Sequence, residues 1–276
     1  MAAKGCTIPS PDLLSTLPIE LILQIAECLP SVQDERDLML TSRRLFTILT
    51  AHILRHALSS EPAFPGFVSA AEQGQLDSLR MFLRRDVESR GEFLTHELKA
   101  IALFWACSRG RREAVDLLLA AGADPNYPIE FNLNGTALHE AVYSEDLRIV
   151  RALLDTGVVD ANRADDNGWT ALHHAATQSA DMIRLLVEVA EADVDARESS
   201  GQTPLYIARV AVRCFPAVAR VLVELGADPG VRDATGRTAQ EALEYLMLSR
   251  PAKDDWRWRE CLKILKEARL RREGRR

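Results

Sequence analysis

Apolar positions recur along this chain as paired stripes with helical spacing, separated by short polar turns. The first stripe of a pair follows a threonine, as in residues 135–141 (GTALHEA), 168–176 (GWTALHHAA) and 201–208 (GQTPLYIA). The second stripe ends in a turn that contains glycine, as in residues 114–126 (AVDLLLAAGADPN) and 221–229 (VLVELGADP). Each pair of stripes predicts a helix, a turn, a second helix and a protruding loop.

The paired stripes form an internal repeat. Thr136, Thr170 and Thr203 open successive units and lie 34 and 33 residues apart. Weaker copies of the first stripe occur at residues 67–74, 101–110 and 236–239. A period of this length is typical of a solenoid in which each unit buries its apolar face against its neighbours. The sequence therefore predicts about six units.

The motif T-x-L-H with a later G-A-D-x-N resembles the ankyrin repeat over roughly residues 65–270. The resemblance implies an all-α fold, an ankyrin-repeat solenoid of about six helix-turn-helix units, and a role in binding other proteins. Departures from the pattern are local, and one of them is about two additional residues near 213–216 in the fifth unit. Glu191 stands where a turn glycine belongs, residues 158–159 are extra, and the last unit is stretched by residues 249–255, as in a capping repeat.

The residue types of the repeat suit these positions. Each threonine hydroxyl can accept a hydrogen bond from an otherwise unpaired amide of the first helical turn. Small residues such as Ala141 and Ala175 let neighbouring helices approach closely. Gly122 and Gly226 suit left-handed positions at the ends of helices, which other residues adopt only at a cost in free energy.

Two histidines stand in the T-x-L-H motif, His139 and His173, with Glu140 and His174 next to them. Histidines can serve in catalysis or metal binding. No carboxylate or cysteine cluster recurs around these histidines at ligand spacing. In the ankyrin repeat, which the motif resembles, this histidine has a structural hydrogen-bonding role. We therefore predict no metal site and no cofactor.

Residues 14–57 lack the repeat and carry a different helical pattern. Pro18 suits the first turn of a helix, and an apolar stripe continues until Pro30 stops it. A second helical stretch follows at residues 37–46 (DLMLTSRRLF). The opening L-P-x-E-L and the later L-x-x-x-x-R-R-L-F resemble the F-box.

In the F-box family this module docks on the small adaptor of a cullin-RING ubiquitin ligase, and the rest of the protein recruits the target. The resemblance implies an adaptor-binding helix face formed by Leu17, Pro18, Glu20, Leu21, Ile25 and Leu29. Alternatively, the segment is only an extra helical cap that covers the apolar face of the first repeat. A module of about 40 residues rarely buries enough surface to fold alone, so either the adaptor or the array must support it.

These patterns divide the chain into five parts. We expect a flexible N-terminus, an F-box-like module, a connector, the ankyrin-repeat array and a basic C-terminal tail, at residues 1–11, 12–57, 58–66, 67–268 and 269–276 respectively. The connector is short and contains two prolines. A freely swinging tether is therefore not expected.

Composition narrows the function classes further. The net charge is −6, and because residues 257–276 are strongly basic, the rest of the chain is acidic, which disfavours nonspecific binding to nucleic acid. No apolar run approaches the roughly 20 residues that span a membrane, and the N-terminus lacks the apolar core of a signal peptide. We expect a cytoplasmic or nuclear protein without a membrane partner. The five cysteines contain no C-x-x-C pair and suggest neither a disulfide framework nor a zinc site.

Catalytic signatures are missing from the sequence. It has no glycine-rich phosphate loop, no G-x-S-x-G and no H-E-x-x-H, so we predict a protein-binding protein rather than an enzyme. Ankyrin arrays bind through loop tips and the concave face of their first helices. An exposed aromatic residue among polar ones is the usual form of a binding hot spot. The candidate target-binding residues are Trp105, Arg109, Tyr143, Trp169, His174 and Gln178.

Overall fold

A computed structural model of the chain describes residues 64–91, 93–210, 216–249 and 256–273. The chain divides into two units, residues 1–66 and 67–276, and nearly all described residues lie in the second unit. Over the described ranges the chain forms twelve α-helices and no strand. Two isolated antiparallel bridges pair Ile129 with Gly135 and Arg232 with Thr238 at the bases of loops. The structure confirms the predicted all-α ankyrin-repeat solenoid.

The helices are numbered here in chain order. Their bounds are α1 Phe64–Gln73, α2 Leu76–Glu88, α3 His96–Ser108, α4 Arg112–Ala120, α5 Ala137–Tyr143, α6 Leu147–Leu154, α7 Ala171–Ala175, α8 Ala180–Glu188, α9 Pro204–Val210, α10 Pro216–Glu224, α11 Ala239–Ser249 and α12 Trp256–Glu273. A short 3-10 helix, Glu130–Asn132, precedes α5.

Consecutive helices form six pairs, which are the repeat units. The first helices α3, α5, α7, α9 and α11 stack on one another in order. The second helices stack beside them, α2 on α4 on α6, and α8 on α10 on α12. Ala141, Ala175 and Ala208 are fully buried between the first helices. Because an alanine side chain is a single methyl group, it permits this close stacking, as the sequence pattern predicted.

Helix starts are capped by the threonines of the repeat. The Thr136 hydroxyl accepts the His139 amide, and the His139 ring in turn accepts the Thr136 amide, so two otherwise unpaired donors are satisfied. The same reciprocal pair joins Thr170 and His173. Thr203 Oγ1 accepts the amide of Tyr206 at 3.3 Å. The predicted capping role is therefore confirmed at all three repeats.

Helix ends use left-handed residues, as predicted. Gly122 and Gly226 have φ of +79° and +103°. Glu191, which stands where the turn glycine belongs, has φ of +52°. The fourth unit thus keeps the geometry of the turn and places a residue with a Cβ in a conformation that costs about 1–2 kcal/mol.

Long-range hydrogen bonds join successive loops through an asparagine ladder, which we define as Asn126, Asn162 and Asp195. Asn126 Oδ1 accepts the amide of Asp160 at 2.8 Å, and its Nδ2 donates to the carbonyl oxygen of Val158 at 2.6 Å. Asn162 repeats both bonds one unit later. Asp195 Oδ1 accepts the backbone amide of Asp228 at 2.8 Å, but its side chain is a carboxylate and cannot donate the second bond.

One cysteine departs from the sequence analysis. Cys261 of α12 is buried and disulfide-bonded, although the cysteine spacing suggested no disulfide. Spacing along the chain reports only on cysteines that are close in sequence, and a fold can bring distant ones together. Cys107 in α3 is a buried free thiol.

Candidate protein-interaction face

The two histidines of the T-x-L-H motifs bridge neighbouring repeats. His139 Nδ1 accepts the amide of Thr136 at 3.1 Å, and Nε2 lies 3.1 Å from the carbonyl oxygen of Trp169 in the next unit. His173 makes the same contacts, with Nε2 at 3.2 Å from the Gln202 carbonyl oxygen. Since a backbone amide can only donate, the ring proton belongs on Nε2. Burial lowers the pKa of both rings, which favours this neutral form. The predicted structural role is confirmed.

Trp169 is positioned by the hairpin loop in front of α7. Asp165 closes this loop, since its amide donates to the carbonyl oxygen of Trp169 and its Oδ1 accepts the Trp169 amide, both at 2.8 Å. Asp165 Oδ1 also accepts the amide of Asn167 at 2.8 Å. Glu198 and Asp233 hold the next two loops in the same way. The acidic residue is therefore part of the scaffold that presents the tryptophan.

Three rings meet across the third and fourth units and form what we call the ring cluster: Tyr143 on α5, Trp169 in the loop before α7, and His174 on α7. The His174 ring centroid lies 4.9 Å from that of Trp169 and 6.2 Å from that of Tyr143. Tyr143 is 38% exposed, and the other two rings are half-buried. Burial, with His139 and His173 nearby, lowers the pKa of His174 to about 3. His174 is therefore uncharged at neutral pH.

Gln178 lies four residues after His174, in the turn between α7 and α8, and borders the ring cluster. Its Nε2 donates to the carbonyl oxygen of Tyr143 at 3.3 Å. Its Oε1 is buried and has no hydrogen-bond partner among the described residues. Tyr143, Trp169, His174 and Gln178, four of the predicted target-binding residues, thus lie side by side across two repeats.

The other two predicted target-binding residues lie at an earlier unit and differ in environment. Trp105 is only 4% exposed, because α3 is packed on all sides and every residue from 98 to 107 is buried. Arg109 donates from Nε and Nη2 to Glu72 Oε1 at 3.0 and 2.7 Å. Trp105 therefore offers little surface to a partner, which corrects the expectation of an exposed aromatic residue there. Arg109 joins the first two described units.

The predicted adaptor-binding residues fall outside the described ranges. These are Leu17, Pro18, Glu20, Leu21, Ile25 and Leu29. Within the described ranges no group of three His, Cys, Asp or Glu side chains could hold a metal ion. No helix among the same residues has the length and apolar character needed to cross a membrane.

Two features of the array were missed by the sequence analysis. Ion pairs join second helices of adjacent units, Arg184 to Glu224 at 2.7 Å and Arg220 to Glu260 at 2.8 Å. Within each pair the two residues are 40 positions apart in sequence, and the two arginines are 36 positions apart. A search for charges that repeat at about the unit length would have found them. The second feature, the buried oxygen of Gln178 that is unpaired among the described residues, has no such signal, because it depends on packing.

The family model described as "Ankyrin repeats (3 copies)" matches residues 67–164 and 157–233. E3 ubiquitin-protein ligase KEG of Arabidopsis thaliana is 31% identical over 139 residues, 49% of this chain and 8% of the relative. Palmitoyltransferase AKR1 of Lachancea kluyveri is 30% identical over 187 residues, 67% of this chain and 25% of the relative. Ankyrin repeat and SOCS box protein 16 of Homo sapiens is 31% identical over 169 residues, 58% of this chain and 35% of the relative.

The chain spans about a third or less of the length of these three relatives. No match to an F-box family accompanies the ankyrin match.

Proposed function

This chain belongs to the ankyrin-repeat family, whose repeats bind proteins, and on that premise we propose that it recruits substrates to a cullin-RING ubiquitin ligase of the SCF type. In this proposal residues 12–57 dock on the ligase adaptor and the array binds the target. The observation that carries the target-binding half is the ring cluster, where three adjoining rings, with Tyr143 exposed, meet across two repeats. Such surfaces are typical of binding hot spots.

The adaptor-binding half rests on the sequence of the N-terminal segment. Its L-P-x-E-L opening and later R-R-L-F resemble the F-box. Relatives whose names couple ankyrin repeats to ubiquitin ligation or to a SOCS box support the combination of a binding array with a ligase function.

We also infer that the described array binds its target without a catalytic step of its own. Relatives named as a ligase, a palmitoyltransferase and a SOCS box protein are matched over at most 35% of their length. A short segment common to proteins with different named activities is expected for a shared binding module.

The test is a pull-down of the full chain with its cognate ligase adaptor. Leu21→Asp and Ile25→Asp place charges on the predicted adaptor-facing helix, and circular dichroism establishes whether each variant is folded. We expect wild type to bind and both folded variants to lose binding. Leu270→Asp, a change of the same kind at an exposed residue of α12, is the matched control and should bind as wild type does.

The absence of an F-box match favours one alternative, a plain ankyrin scaffold whose N-terminal helices cap the array. In that case wild type captures no adaptor, and both aspartate variants unfold because the apolar stripe faces the array. The pull-down and the circular dichroism measurement therefore separate the two functions.

A further inference from the structure

We propose that the ring cluster receives an arginine or lysine side chain from an extended segment of the target protein, with arginine preferred. The inference rests on the target-binding half of the proposed function. It adds the chemical class of the partner, which neither the ankyrin fold nor the family match specifies.

The geometry suits a planar cation. The His174 ring lies between Trp169 and Tyr143, so three ring systems are contiguous, with centroid separations of 4.9 and 6.2 Å. Aromatic faces carry a negative electrostatic potential that attracts ammonium and guanidinium groups. Guanidinium is flat, weakly hydrated and stacks on such faces, which favours arginine over lysine.

The charge of the surrounding segment is complementary to a cation. The loop that leads to Trp169 contains two carboxylates, Asp165 and Asp166, and one cation, Arg163. His174, whose pKa is lowered by burial to about 3, adds no opposing charge at neutral pH. Asp166 is exposed at the tip of the loop that carries Trp169. Asp166 Oδ1 accepts Asn134 Nδ2 at 2.8 Å, and no ion pair joins it to a described residue.

The chain itself uses the same contact at other aromatic residues. Arg85 lies 4.6 Å from the ring centroid of Phe93, and Arg237 lies 4.7 Å from that of Tyr245. The ring neighbours of Trp169 are His173 and His174, and no arginine or lysine of the described residues lies over it. Trp169 is thus an aromatic residue in acidic surroundings whose cation must come from another molecule.

The experiment uses the full chain and a fluorescein-labelled decapeptide of alternating arginine and glycine. Its counterpart replaces each arginine with citrulline, which keeps the shape and removes the charge. Fluorescence anisotropy at physiological salt is expected to show at least about tenfold tighter binding of the arginine peptide. Trp169→Leu should reduce that advantage to about threefold or less.

Asp166→Asn provides a variant that preserves the fold, because an asparagine oxygen can still accept Asn134 Nδ2. It should weaken binding of the arginine peptide several-fold. Asp155→Asn, the same change at the exposed end of α6, is the matched control and should leave binding unchanged. Equal affinity for the arginine and citrulline peptides would overturn the inference, as would equal losses in the two asparagine variants.

Failure of the inference and failure of the proposed function are distinguishable. If wild type captures the adaptor but does not distinguish arginine from citrulline, the inference fails and the ligase role stands. If wild type prefers arginine through Trp169 and Asp166 but captures no adaptor, the inference stands and the ligase role fails.

Discussion

Replacing Asp195 with asparagine should stabilise the array. The first two members of the asparagine ladder each accept an amide and donate to a carbonyl oxygen two residues before that amide, at Val158 and Glu191. Asp195 accepts the Asp228 amide, so by the same register the carbonyl oxygen of Gly226 is the acceptor that it leaves unused. Asparagine restores the missing donor.

The magnitude follows from one hydrogen bond and one charge. An added hydrogen bond contributes about 1 kcal/mol to the free energy of unfolding. Burial, with Asp228 and Asp193 nearby, raises the pKa of Asp195, so the ionised carboxylate is disfavoured in the folded state and its removal adds to the gain. We expect about 1–2 kcal/mol at pH 7, or a rise of about 4 °C in Tm for an array of this size.

The pH dependence supplies a second signature. Because the folded-state pKa of Asp195 is raised, the native chain binds this proton more tightly than the unfolded chain does. The advantage of the asparagine variant is therefore full above the raised pKa and shrinks as the pH falls through it.

Thermal and urea unfolding followed by far-UV circular dichroism measure the effect. The control is Asp160→Asn, the same change one unit earlier at an exposed residue whose Oδ1 accepts the Asn162 amide, which asparagine can also do. A variant at residue 195 that is no more stable than wild type would refute the reasoning, and so would an equal gain in the control.

Three further predictions concern stability. Glu191 has φ of +52°, which glycine adopts without strain, so Glu191→Gly should raise the free energy of unfolding in urea by about 1 kcal/mol. Glu191→Ala keeps the Cβ and should give no such gain, and equal effects of the two changes would contradict the strain argument. Burial lowers the pKa of His174 from 6.5 to about 3, so the free energy of unfolding should fall as the pH drops below 6.5. This residue should contribute up to about 1.4 kcal/mol per pH unit to that fall. If His174→Phe loses stability just as steeply with falling pH, the reasoning is wrong. The Lys99 Nζ atom lies 2.6 Å from the carboxylate of the buried Asp86. Lys99→Met leaves that carboxylate without its ion-pair partner and should lower the free energy of unfolding in urea by about 3–5 kcal/mol, with partial recovery on adding Asp86→Asn. A cost below about 1 kcal/mol would show that the pair is solvated.

Much of the candidate site was predictable from repeat position alone. Tyr143, Trp169, His174 and Gln178 were selected because of their places on the first helices and loops, and the structure brings them together. The same reasoning placed Trp105 on the surface, and it is buried. Repeat position identifies which side of a helix a residue occupies but not how closely the neighbouring units pack against it.

Local signals in the chain specify the helices, their caps and the repeat. A threonine cap, a histidine three residues later and a left-handed turn depend on atoms within about one helical turn, so their residue types are visible in the linear pattern. Contacts between units follow different physics. Arg109 pairs with Glu72, and His174 approaches Tyr143, across 37 and 31 residues of sequence. Gln178 contacts Tyr143 across a similar distance in sequence, and the unpaired state of its oxygen depends on that packing. They arise from the distance and rotation between stacked repeats, which the summed packing of many side chains sets and no single motif encodes.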